Sequence, residues 1–172
     1  MSESETAPGS NPAAHQGQRL VRVHVDKSAG FLLRHAARLF DTALQTSLQP
    51  KGTAAGQYPI LLFLWEKDGQ SETELGEKAK ISAPTLVRTL DRMVEAGLVR
   101  RKVNPDDRRG VRILLTAKAR ALQAELLTLG IEAEERALEG LDAETRKSLV
   151  ASLQRVIQNL DLPPRRWRRA GR

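Results

Sequence analysis

The sequence predicts a mainly α-helical fold with one small β-hairpin, and three observations lead to this fold class. Apolar residues recur at intervals of three and four positions along most of the chain between residues 28 and 160. Proline, glycine and capping residues divide this pattern into segments of helix length. Two short strand-like runs around a Pro/Asp/Gly loop interrupt it once, at residues 98–115. With 172 residues, the chain is long enough for one domain with tails.

The composition excludes several classes of function. The absence of cysteine excludes disulfides, iron–sulfur clusters, thiol catalysis and cysteine-based redox sensing. The only histidines are His15, His24 and His35, so we predict no metal site and no cofactor. The longest apolar run, residues 58–65, is far shorter than the ~20 residues that a membrane-spanning helix needs, and no secretory signal is visible. We therefore expect a cytoplasmic protein with no membrane partner.

The N-terminal third is predicted to contain a disordered arm and two helices. Residues 1–18 are rich in Ser, Glu, Ala, Pro and Gly and have no apolar period. Residues 20–25 alternate weakly, which fits either a strand or an extended lead-in. Helices are predicted over 28–49 and 54–67. The regular part of the second should begin just before Pro59, because an interior proline costs about 3 kcal/mol.

The middle of the chain predicts two helices joined by a tight turn. Residues 71–74, Ser-Glu-Thr-Glu, form a capping-box pattern that opens a short helix ending near residue 80. Ser82 can cap the helix that follows, and Pro84 fits its first turn. That helix ends at Gly97, a favourable residue just beyond a helix.

The second of these helices has two distinct faces on a helical wheel. Leu86, Leu90 and Met93 form one apolar stripe, which we expect in the core. The residues opposite or flanking this stripe are Pro84, Thr85, Arg88, Asp91, Arg92 and Glu95.

A β-hairpin and further helices are predicted to complete the chain. Strands are expected in residues 98–103 and 111–115, with Arg108 and Arg109 adjacent in the loop between them. The helical period returns after this hairpin, breaks at Asp142 and continues to about residue 160.

Positive charge is concentrated in two segments. Residues 82–115 hold eight bases against four acids, and residues 161–172 hold five arginines against one aspartate. A basic segment in a near-neutral body is the electrostatic footprint of a polyanion binder, although surface solvation alone also explains such charge. The C-terminal arginines fit contact with phosphates, contact with anionic lipid or a flexible tail.

A short helix, a turn, a second helix and a hairpin together form a winged helix-turn-helix. A helix fits the major groove, where base edges present a distinct pattern of donors and acceptors. A basic hairpin tip reaches phosphates and the adjacent minor groove, whose negative potential attracts arginine.

Residues 71–116 resemble the multiple antibiotic resistance regulator (MarR) family of winged helix-turn-helix transcription factors, and the helices outside them fit the family's order over about 130 residues. One departure is Ala119, where the family often has glycine. The resemblance is carried by Glu74-Leu75, Ile81-Ser82, Thr85-Leu86, Arg88, Gly97-Leu98-Val99-Arg100, Asp107-Arg108-Arg109-Gly110 and Leu115-Thr116.

The resemblance implies double-stranded DNA as a partner. In the family, the wing aspartate holds an arginine for insertion into the minor groove, which here implies Asp107 and Arg109. The N- and C-terminal helices would entwine in a two-fold homodimer, so the operator would be an inverted repeat with half-sites ~10 bp apart. The implied DNA-binding residues are Ser82, Pro84, Thr85, Arg88, Arg92, Asp107, Arg108 and Arg109.

The resemblance also implies a small-molecule effector that binds between the dimerisation helices and the DNA-binding lobe. The scarce polar and aromatic side chains on the bordering helices are the candidates. They are His35, Arg38, Tyr58 and Trp65. In the alternative interpretation, the Tyr58 and Trp65 rings belong to the core and His35 is a satisfied surface or interface histidine.

The leading hypothesis is a dimeric, sequence-specific DNA-binding regulator, a repressor that a small aromatic or anionic ligand releases. The alternative is a winged-helix module for protein–protein interaction without sequence-specific DNA binding. An enzyme is not expected, because no catalytic triad, carboxylate pair or phosphate-binding glycine loop stands out. The predicted segments are a disordered arm (1–18), a lead-in with the first dimerisation helix (19–52), the DNA-binding domain (53–116), the C-terminal dimerisation helices (117–162) and a basic tail (163–172).

Overall fold

The computed structural model describes residues 24–103 and 110–161. The predicted arm, most of the lead-in, the tip of the hairpin and the basic tail lie outside these residues. The chain divides into two compact units, residues 1–35 and residues 36–172. In the first unit, a short 3₁₀ helix precedes helix α1, and the Ser28 hydroxyl caps α1 by accepting a hydrogen bond from the Phe31 N–H at 3.4 Å.

The elements confirm the predicted fold class. In chain order they are a 3₁₀ helix (Val25–Lys27), α1 (Ala29–Leu48), two 3₁₀ turns (Gln49–Lys51 and Ala55–Gln57), α2 (Tyr58–Glu66), β1 (Gln70–Ser71), α3 (Glu72–Ala79), α4 (Ala83–Glu95), β2 (Val99–Val103), β3 (Val111–Leu115), α5 (Ala117–Ala121), α6 (Gln123–Ala137) and α7 (Ala143–Asp161).

Local signals place the starts of α2, α3 and α4 where the sequence predicts them. Pro59 lies in the first turn of α2, where its missing N–H costs little. The capping box of α3 is formed reciprocally: the Ser71 hydroxyl accepts the Glu74 N–H at 3.2 Å, and the Glu74 carboxylate accepts the Ser71 N–H at 2.7 Å. Ser82 caps α4, and Gly97 adopts a left-handed conformation just beyond it, with φ 66°.

The sheet has three antiparallel strands in the order β1-β3-β2, one more than the predicted hairpin. β2 and β3 pair over all five residues of each strand, while the two-residue β1 lies along the other edge of β3. Gln70 on β1 is buried, and its amide donates hydrogen bonds to the carbonyl oxygens of Phe63 and Lys67 at 2.6 and 2.7 Å. The Phe63 carbonyl oxygen also accepts the Lys67 N–H at 3.0 Å, so the buried amide adds a second hydrogen bond at the end of α2.

One apolar core joins the helices of the winged helix to the sheet. Leu86, Leu90 and Met93 of α4 belong to it, as predicted, and none is more than 2% exposed. The other large side chains buried in the same core are Leu48, Ile60, Leu61, Leu64, Leu75, Leu98, Ile113 and Leu126.

Helices α2 and α6 approach each other closely at Gly130. A Cβ atom at this position would lie 2.6 Å from Cζ and 3.0 Å from Cε1 of Tyr58. Glycine therefore allows the half-buried phenol ring to lie against the backbone of α6. Burial, and secondarily the charge of Glu134, raises the pKa of Tyr58 above its ordinary value.

Helix α7 contributes no buried side chain to the core of its own chain. Asp142 caps it by accepting the Thr145 N–H at 2.8 Å, as the sequence predicts. Arg146 ties its first turns to the end of α6, since its guanidinium pairs with the Glu135 carboxylate at 2.7 Å and donates to the Leu138 carbonyl oxygen at 3.2 Å. The exposed apolar residues of α7 are Leu149, Val150, Val156, Ile157 and Leu160.

Candidate nucleic-acid interface

Helix α4 presents a polar and basic face at the surface, opposite its buried stripe. This separation follows the helical wheel because the stripe packs on the core and leaves the other side chains outside. Val87 and Val94 are also exposed, at 41% and 39%, and add apolar patches to the same helix. The predicted DNA-binding residues on α4 and its N-cap are all exposed. They are Ser82, Pro84, Thr85, Arg88 and Arg92.

Hydrogen bonds organise the N-terminus of α4. The Ser82 hydroxyl accepts the Thr85 N–H at 3.4 Å and lies 2.8 Å from the Thr85 hydroxyl. The Thr89 hydroxyl donates to the Thr85 carbonyl oxygen at 2.9 Å. Ser82 is therefore a cap, and its exposed hydroxyl lies at a helix terminus whose dipole favours an anion.

Four cations on α4 and β2 are available to an outside anion. Arg88 and Arg92 are exposed on α4, and Arg100 and Lys102 are exposed on β2. Among the described residues, none of these four forms an ion pair. No carboxylate in the described part of the chain therefore neutralises their charges, which favours a polyanion.

Two other arginines of the basic segment are paired with carboxylates. Arg101 Nε lies 3.1 Å from Glu72 Oε1, and Arg101 Nη1 lies 2.7 Å from Asp91 Oδ1. The hydrogen bond that Arg101 donates to the Asp91 carboxylate is the main cause of the raised pKa of Arg101. Arg112 lies 3.3 Å from a carboxylate oxygen of Glu74. The charge count of the sequence therefore overstates the free positive charge of this segment.

The wing extends from the end of the β2–β3 ladder. Its last described pairs are Lys102 opposite Arg112 and Val103 opposite Val111. The predicted wing residues Asp107, Arg108 and Arg109 lie outside the described residues.

The base of the wing is held by side chains that the sequence analysis missed. One Asp68 carboxylate oxygen accepts the Leu115 N–H at 2.9 Å, and the other pairs with Arg120. The Thr116 hydroxyl donates to the Gly97 carbonyl oxygen at 2.7 Å. The Leu-Thr motif is the only sequence signal for this cluster, because the motif places Thr116 directly after β3.

The predicted effector residues fall into separate surroundings. Tyr58 and Trp65 lie together on α2, with ring centroids 6.5 Å apart in an edge-to-face arrangement. Both rings are half-buried, and the Trp65 indole N–H donates to the Ala119 carbonyl oxygen at 3.3 Å. His35 belongs to the first unit, where its ring stacks on Phe31. Arg38 lies on the exposed side of α1.

The described part of the chain holds neither a metal-ligand cluster nor a membrane-spanning helix. Within residues 24–103 and 110–161, no group of three or more acidic or histidine side chains could hold a metal ion. In those same ranges, no helix combines the length and the apolar character needed to cross a membrane.

The capped helix pair, the basic second helix and the adjoining hairpin define a winged helix-turn-helix protein. Residues 54–111 match the profile of the MarR family. The transcriptional regulator TtmR of Methylorubrum extorquens is 34% identical over 102 residues, which cover 59% of this chain and 52% of that protein. Residues 54–111 are therefore similar to the MarR family, which confirms the resemblance of the motifs, although the match to TtmR spans only about half the length of this curated relative.

Solved structures of MarR-type regulators share the fold. The transcriptional repressor CouR bound to a 23-mer DNA duplex is 28% identical, with a TM-score of 0.71 over 77% of this chain and 94% of that chain. A MarR variant from E. coli in complex with operator DNA is 28% identical, with a TM-score of 0.66 over 78% of this chain and 93% of that chain. These relatives are transcriptional regulators rather than enzymes, in line with the expectation from the sequence.

Proposed function

We propose that the protein is a sequence-specific DNA-binding transcriptional regulator that acts as a homodimer. The observation that carries this proposal is the exposed face of α4, which combines a capped N-terminus with arginines that form no ion pair among the described residues, beside the basic strand β2. Two of its structural relatives are bound to DNA duplexes. A basic helix face with base-reading side chains in its first turns is what major-groove docking requires.

The residues of this face have distinct parts in the proposed complex. Ser82 and the N-terminus of α4 bind a phosphate, which fixes the register without reading sequence. Pro84 and Thr85 present apolar groups suited to a thymine methyl, and Arg88 can donate two hydrogen bonds to one guanine. Asp107, Arg108 and Arg109 act at the wing tip, with Arg109 entering the minor groove.

An Arg88→Ala variant tests the DNA interface. If Arg88 reads a base, the variant loses about 5- to 150-fold in affinity for the preferred duplex. The matched control is Arg155→Ala, which removes one exposed positive charge that forms no ion pair among the described residues and lies on neither α4 nor the hairpin. Fluorescence anisotropy over a salt series measures both variants, and the wild-type affinity should fall steeply with salt. Salt-independent or absent binding by the wild-type protein would instead favour a protein-interaction module.

The apolar side of α7 supports the homodimer. Ile157 and Leu160 are 60% and 79% exposed, although they lie on one stripe with Leu149 and Leu153. The 19-residue helix α7 has no buried side chain, so packing against the described part of its own chain stabilises it little. We therefore infer that a second copy of the chain packs against this stripe.

An Ile157→Asp variant tests the dimer. It should dissociate into monomers in sedimentation experiments at concentrations where the wild-type protein is dimeric, because it buries an unpaired charge at the interface. The control is Ser148→Asp, which introduces the same charge on the other side of α7 and should leave the dimer intact. Identical masses for the two variants would refute the assignment of this stripe.

We further propose that the regulator is a repressor and that a small aromatic or anionic ligand releases it. The contact between the Tyr58 and Trp65 rings provides an aromatic wall of the kind that such ligands use. A ligand acts by favouring one arrangement of the two recognition helices over another. A thermal-shift screen with aromatic acids should find compounds that raise the melting temperature and weaken DNA binding. No shift with any compound would contradict this part of the proposal.

A further inference from the structure

Arg101 joins three parts of the winged helix through one guanidinium group. It lies in the middle of β2, between the recognition helix α4 and the first helix of the motif, α3. Its Nε lies 3.1 Å from the carboxylate of Glu72 on α3, and its Nη1 lies 2.7 Å from the carboxylate of Asp91 on α4.

The surroundings of Arg101 suit a fixed bridge better than a phosphate contact. Its side chain is 33% exposed, and Glu72 is equally sheltered at 34%. Two carboxylates already neutralise the guanidinium, so a phosphate would have to compete with both. Charge-assisted hydrogen bonds in two directions also fix the orientation of the planar guanidinium group. A lysine ammonium group cannot form this planar, two-directional arrangement.

We propose that Arg101 is a positioning residue that fixes the angle between the wing and the recognition helix. The inference rests on the proposed DNA-binding function. Asp91 lies on the side of α4 that faces DNA in the proposed complex. Its negative charge would therefore repel the phosphates and weaken binding. The structure gives Asp91 a compensating role, which is to hold Arg101 and through it the hairpin.

This assignment predicts an effect of unusual sign. If Asp91 were only a surface acid, its neutralisation would raise DNA affinity, because a negative charge near phosphates is removed. If Asp91 anchors Arg101, neutralisation releases the hairpin and lowers the affinity. Glu95 offers a matched comparison, since it lies on the same side of α4, is exposed and forms no ion pair among the described residues.

The experiment compares three variants of the full chain, Asp91→Asn, Glu95→Gln and Arg101→Lys. The probe is the duplex that the wild-type protein enriches from a library of random duplexes about three helical turns long. Affinity for this duplex and for an unrelated duplex is measured over a salt series, and thermal unfolding of each variant is recorded. The slope of affinity against salt counts phosphate contacts, so a lost contact reduces it by about one unit.

The positioning role predicts that Asp91→Asn lowers the specific affinity by about threefold or more, while Glu95→Gln leaves it unchanged or raises it. Arg101→Lys, which keeps the charge, should lower the ratio of specific to nonspecific affinity without changing the salt slope. The inference is overturned if Asp91→Asn binds as tightly as Glu95→Gln, if Arg101→Lys behaves as wild type, or if its salt slope falls by one unit. Failure of the wild-type protein to enrich any duplex overturns the proposed function itself.

Discussion

Replacing Gly130 with alanine should destabilise the protein, although alanine normally strengthens a helix. Within α6, the exchange gains about 1 kcal/mol of intrinsic helix propensity. The added Cβ would lie 2.6 Å from Tyr58 Cζ, far inside contact distance, and a shift of the half-buried ring would disturb its edge-to-face contact with Trp65. Overpacking of this kind costs about 1–3 kcal/mol. After the gain in helix propensity, the net loss of up to about 2 kcal/mol should lower the melting temperature by several degrees.

Gly76→Ala is the matched control because it also lies inside a helix. A Cβ at Gly76 would meet Leu86 Cδ2 at 3.5 Å, which is ordinary contact. This variant should gain stability by up to about 1 kcal/mol. Thermal and urea unfolding at one fixed protein concentration compare the variants, since association shifts apparent stability.

A second substitution makes the reasoning about Gly130 refutable. In a Tyr58→Ala background the clash is absent, so Gly130→Ala should become neutral or stabilising relative to that background. If Gly130→Ala is equally destabilising in both backgrounds, the close approach to the ring is not the cause. If it stabilises the wild-type protein as Gly76→Ala does, the contact itself is wrong.

Three further predictions concern single groups. Tyr58 is the only tyrosine in the sequence, so phenolate absorbance should report its raised pKa directly. The neutral phenol contributes to stability below the ordinary tyrosine pKa. This contribution is lost as the pH rises through the raised pKa. The hydrogen bond from the Ser71 N–H lowers the pKa of Glu74. The Glu74 carboxylate therefore contributes to stability above the ordinary glutamate pKa, and this contribution is lost as the pH falls through the lowered pKa. Urea unfolding of Glu74→Gln should lack this dependence on acid pH. Asp68→Ala should cost about 1–3 kcal/mol in urea unfolding because the Leu115 N–H loses its acceptor, while Asp68→Asn, which keeps an acceptor, should cost less.

Elements with local signals were predictable from the sequence. The capping box at residues 71–74, the Ser82 cap and the position of Pro59 each follow from interactions within one helical turn. The apolar stripe of α4 likewise required only the helical period, and it separated the core from the proposed DNA-binding face. The resemblance of the motifs to the MarR family then predicted the fold and the class of function together.

The features that were not predictable depend on residues distant in sequence. Glu72 and Arg101 are 29 positions apart, and no spacing rule indicates that they meet. β1 has two residues, too few to show a period of two, and only its pairing with β3 makes it a strand. The helical pattern after the hairpin also gave no sign that Leu122 separates α5 from α6.

The junction at Thr116 has a mechanical consequence. This single residue leads from β3 into α5, and its hydroxyl is bonded to the carbonyl oxygen of Gly97 at the beginning of the hairpin. The ends of both strands of the hairpin are thus joined at one residue, where the chain continues into α5 and α6. Because α5 and the two strands meet at this residue, a tilt of α5 would move both strands of the hairpin. The position of the wing therefore depends on the orientation of α5.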